Sequence, residues 1–234
     1  MKQVHLSTAI CNEREIFEPV LSLDGKKILE LGCGKADLTR LIATTGSGRE
    51  IMATEVDEIQ HNKNILIDDL PNVTFVKAGS EQIPADDESF DVVFMFKSLH
   101  HVPIDLMDNA MQEIQRVLKP GGMAYISEPV FAGDFNELIR LFNDEEKTRT
   151  AAYRAIENCV NNQVLFPVDQ IFFNIPVFFE NFSEFERLVI NVTHSNFRLS
   201  PELKQKVEEK FLLNMEEDGA HFLQPIRVDL LQKK

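Results

Sequence analysis

From residue 26 to about residue 130 the chain alternates apolar runs of strand length with segments of helical period, and this rhythm limits the fold more than any other feature. Such an alternation winds a mostly parallel sheet with helices on both faces. The predicted strands are Lys27–Leu31, "REIMAT" (49–54), "NVTFVKA" (72–78), "FDVVFMF" (90–96) and "GMAYISEPV" (122–130). Residues 36–43, 58–67 and 104–118 read as helices, and "KPGG" stops the last of them, since Pro cannot continue a helix and Gly takes the left-handed turn. The 234 residues, 44% hydrophobic, are enough for one well-cored α/β domain with chain to spare.

Past residue 130 the rhythm breaks. Residues 135–142 and 145–160 read as helices, followed by a stretch with Pro167 and Pro176 that fits no single period. Seven of the 18 phenylalanines fall between Phe166 and Phe185, so this stretch must bury itself. "FERLVINVTH" and "HFLQPIRVDLLQ", with a helix over 201–215 between them, predict an antiparallel strand pair at the sheet edge.

Lys and Arg number 24 against 38 Asp and Glu, a net charge of −14 that repels polyanions, so neither nucleic acid nor an anionic membrane suits this surface. No run approaches the roughly 18 apolar residues of a membrane span, and the amino terminus lacks a long apolar core. Cys11, Cys33 and Cys159 are widely spaced, as reduced thiols are. The expectation is a soluble, cytoplasmic protein.

The chemistry begins at "KKILELGCGKADLT", a strand running through a Gly-x-Gly turn into a helix. Gly32 and Gly34 permit a sharp turn and bring backbone N–H groups, that of Cys33 among them, against a ligand. A dinucleotide fingerprint would want a third glycine at position 37, where this chain has Asp37. Asp37, with Glu30 ahead of the turn, opposes a pyrophosphate and suits a cofactor that is cationic there. Glu55 closes the second strand, followed by Val56, where an acid accepts hydrogen bonds from ribose hydroxyls.

"LELGCG" with Glu30 resembles motif I of the class I S-adenosylmethionine-dependent methyltransferases. "AGSEQIPADDESFDVVFMF" is similar to that family's "GDAExLPFxDxSFDxV" signature, and "RVLKPGGMAYISEP" to its following helix, turn and fifth strand. The resemblance implies a Rossmann-like sheet of seven strands, the last antiparallel, with S-adenosylmethionine as cofactor. It implies that Glu30, Gly32, Cys33 and Gly34 hold the methionine end, and Glu55 and Val56 the ribose. The family's adenine-binding Asp falls at Gly79, which moves that contact to Ser80, with Glu81 nearby.

The fourth strand ends in "FKSLHHVP", which carries Lys97, His100 and His101 to the rim where ligands of open α/β sheets bind. His101 or His100 is the candidate general base, because imidazole titrates near neutral pH; the alternative is a packing role beside the cofactor. Lys97 either joins the ligand site or pairs with Glu128, which itself either orients the substrate or bonds a neighbour. Adjacent His100 and His101 with Asp105 lack metal-ligand spacing, so no metal is expected.

These readings divide a single domain into a lid segment (1–25), a cofactor-binding core (26–130), a substrate-side insertion (131–182) and a terminal strand pair with a helix (183–234). The insertion's phenylalanines would line an apolar pocket, pack a core of their own, or form a homodimer interface. The resulting expectation is methyl transfer to an O, N, C or S atom of a small molecule. A non-catalytic scaffold, toward which Gly79 leans, and an NAD-dependent oxidoreductase are the alternatives.

Overall fold

The computed structural model describes residues 1–5, 7–191 and 197–234. Seven strands, β1 (Lys27–Leu31), β2 (Glu50–Glu55), β3 (Val73–Lys77), β4 (Phe90–Phe96), β5 (Leu118–Pro129), β6 (Phe166–Phe179) and β7 (Ala220–Gln232), form one sheet. Their order is β3-β2-β1-β4-β5-β7-β6. The first five run parallel, and β7 is antiparallel to both neighbours. Parallel strands covered on both faces need apolar side chains on each, hence the near-continuous burial of β1 and β4.

Alternate residues feed two cores. On one face Leu29, Val93, Met95 and Ile126 pack against α4 (Met107–Val117) and α6 (Glu146–Asn161). On the other, Ile28, Phe94, Tyr125 and Val228 meet Phe17 of α1 (Glu13–Val20) and Ile42 of α2 (Asp37–Thr44). The remaining α-helices among the described residues are α3 (Glu58–Asn64), α5 (Asp134–Ile139), α7 (Phe182–Phe185) and α8 (Pro201–Leu212). None among the described residues is long and apolar enough to cross a membrane.

The stretch with no readable period is β6, and it pairs with β7 over its whole length. Pro167 and Pro176 are tolerated because β6 is the outermost strand and owes hydrogen bonds to one neighbour only. The amino-terminal chain caps that open edge: Asn174 N–H donates to Ala9 O (2.8 Å) and Cys11 N–H to Asn174 O (3.1 Å). This anchor sets α1 over the sheet.

Two expectations are thereby corrected. The partner of β7 is β6, not residues 185–194: Glu186–Ile190 forms a π turn continuing α7, and residues 192–194, His194 among them, lie outside the described residues. Residues 131–182 are not an insertion, since they hold the crossover helix α6 and strand β6. The added structure lies between β6 and β7. There Phe179, Phe182, Phe185, Phe211 and Phe222 form their own core, with ring centroids 5.3–6.4 Å apart.

Candidate cofactor and acceptor site

β1 delivers Glu30 to the carboxyl edge of the sheet and breaks at Gly32, whose φ is +71°. A Cβ there would stand 2.8 Å from Ser98 Cβ, so the approach of the β4 loop admits only glycine. Cys33 N–H donates to Thr54 O (2.8 Å), locking the turn to β2. Glu55 Oε2 accepts from Gly34 N–H and its Oε1 from Asp57 N–H, both at 2.8 Å, which leaves each carboxylate oxygen a lone pair for a ligand. From α3, buried Asn64 donates to Gly34 O (2.8 Å) and holds the loop from behind.

Glu30 is 2% exposed and accepts from Thr39 Oγ1 at 2.6 Å. Burial, with a further contribution from the Asp37 carboxylate, pushes its pKa up to about 7. A buried carboxyl poised between charge states responds strongly to a cation placed beside it. The Cys33 thiol, raised mainly by burial, is inert.

Gly79 supplies no carboxylate, but the space its Cβ would fill is occupied by the carboxylate of Glu81. Asn109 Nδ2 donates to Glu81 O (2.6 Å) and fixes this turn, with Ser80 buried beside it. An acid is therefore present where the family pattern wants one, supplied from two residues downstream.

After β4, Lys97 takes a left-handed backbone (φ +54°), rare for a side chain-bearing residue and typical of constrained sites. Its N–H donates to Ser127 O (2.6 Å). The next turn separates the two histidines. His101 faces the cavity; His100 is turned away, with Nδ1 2.5 Å from Glu128 Oε2 and Nε2 3.9 Å from Glu145 Oε2. Glu128 also accepts from Leu99 N–H (2.9 Å). It bonds its neighbours and ties down the loop that carries His101, and Lys97 does not pair with it. His100, His101 and Glu145 converge within 4.8 Å, but Arg149 donates to Glu145 Oε2 at 2.7 and 3.1 Å. This is an ion-pair network around a buried imidazole.

These pieces bound one cavity of about 1780 Å³ at the carboxyl ends of β1, β2 and β4, above the 300–1,000 Å³ common for a single small ligand. Glu30, Gly32, Cys33, Gly34, Glu55, Val56, Gly79, Ser80, Glu81 and Lys97 all line it. So does Glu13 of α1, which sequence reading passed over, as do Ile175 and Leu188. The phenylalanines of the terminal core do not; Phe96 is the aromatic wall. The donor set fits S-adenosylmethionine: acids surround the turn where a cation would sit, and a two-oxygen acceptor stands at the end of β2.

The comparisons with known proteins agree with that chemistry. Residues 28–122 match the methyltransferase domain family. These residues form a class I S-adenosylmethionine-dependent methyltransferase domain. Its sequence is 34% identical over 109 residues to a ubiquinone/menaquinone biosynthesis C-methyltransferase of Hahella chejuensis, covering 44% of this chain and 43% of that one. It is 31% identical over 117 residues to a sterol 24-C-methyltransferase of Yarrowia lipolytica, covering 48% and 30%. The chain thus spans less than half the length of either relative. The fold extends further: a Methanosarcina mazei SAM-dependent methyltransferase superposes over 92% of this chain and 95% of its own, with TM-score 0.57 at 14% identity. The Bacillus subtilis YcgJ protein does so over 91% and 93%, with TM-score 0.63 at 17% identity. The match to the methyltransferase domain family ends where β5 begins its buried run.

Proposed function

We propose that this methyltransferase transfers the methyl group of S-adenosylmethionine to a small apolar molecule. The observation that carries the reading is the acid-rimmed cavity, in which Glu30 and Glu55 flank a glycine loop and ample room remains under α1. S-adenosylmethionine supplies a methyl group already activated by its positive sulfur. The residues of this chain bind, align and exclude water, which is how proximity accelerates a displacement. Glu30 faces the cationic methionine end across the turn of Gly32, Cys33 and Gly34; the Cys33 and Gly34 N–H groups, expected from sequence to meet the ligand, are instead given to Thr54 O and Glu55 Oε2. Glu55 accepts from the ribose hydroxyls beside Val56, and Ser80 and Glu81 meet the adenine. Lys97 and His101 close the floor between cofactor and acceptor, His101 being the histidine placed to act as a base. Phe96, Ile175 and Leu188 give the acceptor an apolar wall; the names of the sterol and quinone relatives favour the same class. The net charge of −14 favours a small molecule over nucleic acid.

Calorimetry with S-adenosylhomocysteine tests the reading. The wild type is expected to bind it, and Glu55→Ala to weaken binding about 10–100-fold through lost charge-assisted hydrogen bonds. Binding of NAD in its place would make the site an oxidoreductase's. Binding of neither would leave a scaffold.

A further inference from the structure

Lys97 follows β4 and lines the cavity, where its positive charge opposes a cofactor that is itself cationic. Its neighbour Ser98 donates to Leu31 O at 2.8 Å and lies so near Gly32 that no Cβ fits between them. Lys97 is therefore held one residue from the glycine turn. Its backbone is fixed as well, left-handed at φ +54° and tied to β5 by the bond from its N–H to Ser127 O. A lysine that only solvates a surface needs none of this, and strain of this kind collects where ligands are held. The ammonium makes no hydrogen bond or ion pair among the described residues, although it lies close enough to Glu13 to attract it.

The acids of α1 that line the cavity are already engaged. Glu13 accepts from Tyr125 O–H at 2.9 Å with the Ser127 hydroxyl beside it, and its other oxygen is sealed from solvent. Glu15 accepts from Asn12 Nδ2 at 3.0 Å, and Glu18 from the two terminal nitrogens of Arg49 at 2.9 and 3.1 Å. The unpaired charges on this side are positive: Lys97, and Arg14, exposed on α1 with no ion partner among the described residues. A sulfonium bound beside Lys97 would be repelled by it, and an anion between the two relieves both. Phe96, Ile175 and Leu188 accept an apolar body behind that anion. A single ammonium suits a monoanionic carboxylate, whereas a phosphate favours the forked donors of arginine. The net charge of −14 repels polyanions, but salt confines that field to about 8 Å, so one carboxylate answers to its nearest cation.

Resting on the methyl-transfer reading, we infer that the acceptor is an apolar carboxylic acid and that the Lys97 ammonium binds its carboxylate. Lys97 is then a specificity-determining residue, selecting the ionised acid over neutral molecules of the same shape. The bound carboxylate lies between the ammonium and the positive sulfur, which removes the repulsion that the cofactor alone would meet there.

Benzoate and benzamide, matched in shape and differing in charge, are the probes. They are titrated calorimetrically into the S-adenosylhomocysteine-loaded full chain at about pH 7, where a carboxylic acid is ionised. The wild type is expected to prefer benzoate about tenfold, as one charge-assisted hydrogen bond allows. Lys97→Gln keeps a polar side chain without the charge, so the preference should fall to about twofold or less. Arg14→Gln removes the other unpaired cation and should keep the preference. No benzoate preference in the wild type, failure to bind benzoate included, overturns the assignment, as does an undiminished preference in Lys97→Gln or an equal loss in both variants. Should Lys97→Gln fail to fold, the wild type decides: raising salt from about 0.05 to about 0.5 M should cut the preference about threefold or more by screening, and a salt-independent preference overturns the pairing. Failure of the wild type to bind S-adenosylhomocysteine sinks the methyltransferase reading instead.

Discussion

Glu30→Gln is expected to stabilise the ligand-free protein at pH 8 by about 3 kcal/mol while weakening its hold on S-adenosylmethionine. The sign follows from linkage. The folded-state pKa of Glu30 is raised from 4.5 to about 7, so between those values the folded protein binds more protons than the unfolded chain. The stabilisation from the neutral carboxyl is complete below pH 4.5 and is lost as pH rises through 7. Near pH 8 the wild type bears the full cost of an ionised, buried carboxylate, about 3 kcal/mol for a shift of this size. Glutamine keeps the bond from Thr39 Oγ1 and carries no charge. The variant's melting temperature should therefore exceed the wild type's by roughly 6–12 °C at pH 8 and match it near pH 4.5.

The same burial makes Glu30 useful. A cation beside it lowers its pKa, so S-adenosylmethionine binding near pH 7 should expel a fraction of a proton. Calorimetry in buffers of different ionisation enthalpy would detect that release in the wild type and its absence in Glu30→Gln. A variant less stable than wild type at pH 8 would refute the burial argument.

Much of this was legible in sequence because it is local. The central strands β1 and β4 are buried on both faces and so appear as near-continuous apolar runs between Gly- and Pro-bearing turns. The residues proposed to hold the cofactor sit at the ends of strands, within a few positions of a glycine or an acid. β6 was illegible because an edge strand tolerates prolines and owes its burial to the amino-terminal chain and the terminal helices. Without it, the second strand of the pair was assigned to 185–194, whose apolar residues up to Ile190 serve a helical turn. Residues brought together by folding alone were missed. Glu13 meets Tyr125 across 112 residues, and Asn64 reaches the glycine loop from a helix with no motif. Thr39, which caps Glu30 nine residues away, becomes adjacent only when α2 packs down. His100 and His101 could not be told apart because the turn that diverges them depends on Glu128, in another strand.

That dependence makes Glu128→Ala the most damaging substitution expected, at about 3–5 kcal/mol, the cost of leaving buried charges unpaired. Glu128 is 2% exposed, bonds His100 and the Leu99 N–H, and is attracted to Arg227 in the neighbouring strand. Arg227 retains Asp229 at 2.7 Å, so His100 is the group that loses its nearest partner and keeps only Glu145, at 3.9 Å. Burial opposes charge on both His100 and Glu128, but their mutual attraction wins, raising the first and lowering the second. The histidine's contribution is complete below its ordinary value of 6.5 and is lost as pH rises through its raised folded value. The carboxylate's is complete above 4.5 and is lost as pH falls through its lowered one. The pair therefore stabilises most between about pH 4.5 and 6.5, and urea unfolding at pH 5.5 should show a larger deficit for Glu128→Ala than at pH 8.5. A double-mutant cycle with His100→Ala separates this ion pair from simple packing. Coupling below about 0.5 kcal/mol at pH 5.5 would mean that Glu128 serves the Leu99 N–H alone. In that event Glu128 would hold the loop bearing Lys97 and His101 through one hydrogen bond, to the Leu99 N–H, and S-adenosylhomocysteine binding in His100→Ala would equal that of the wild type.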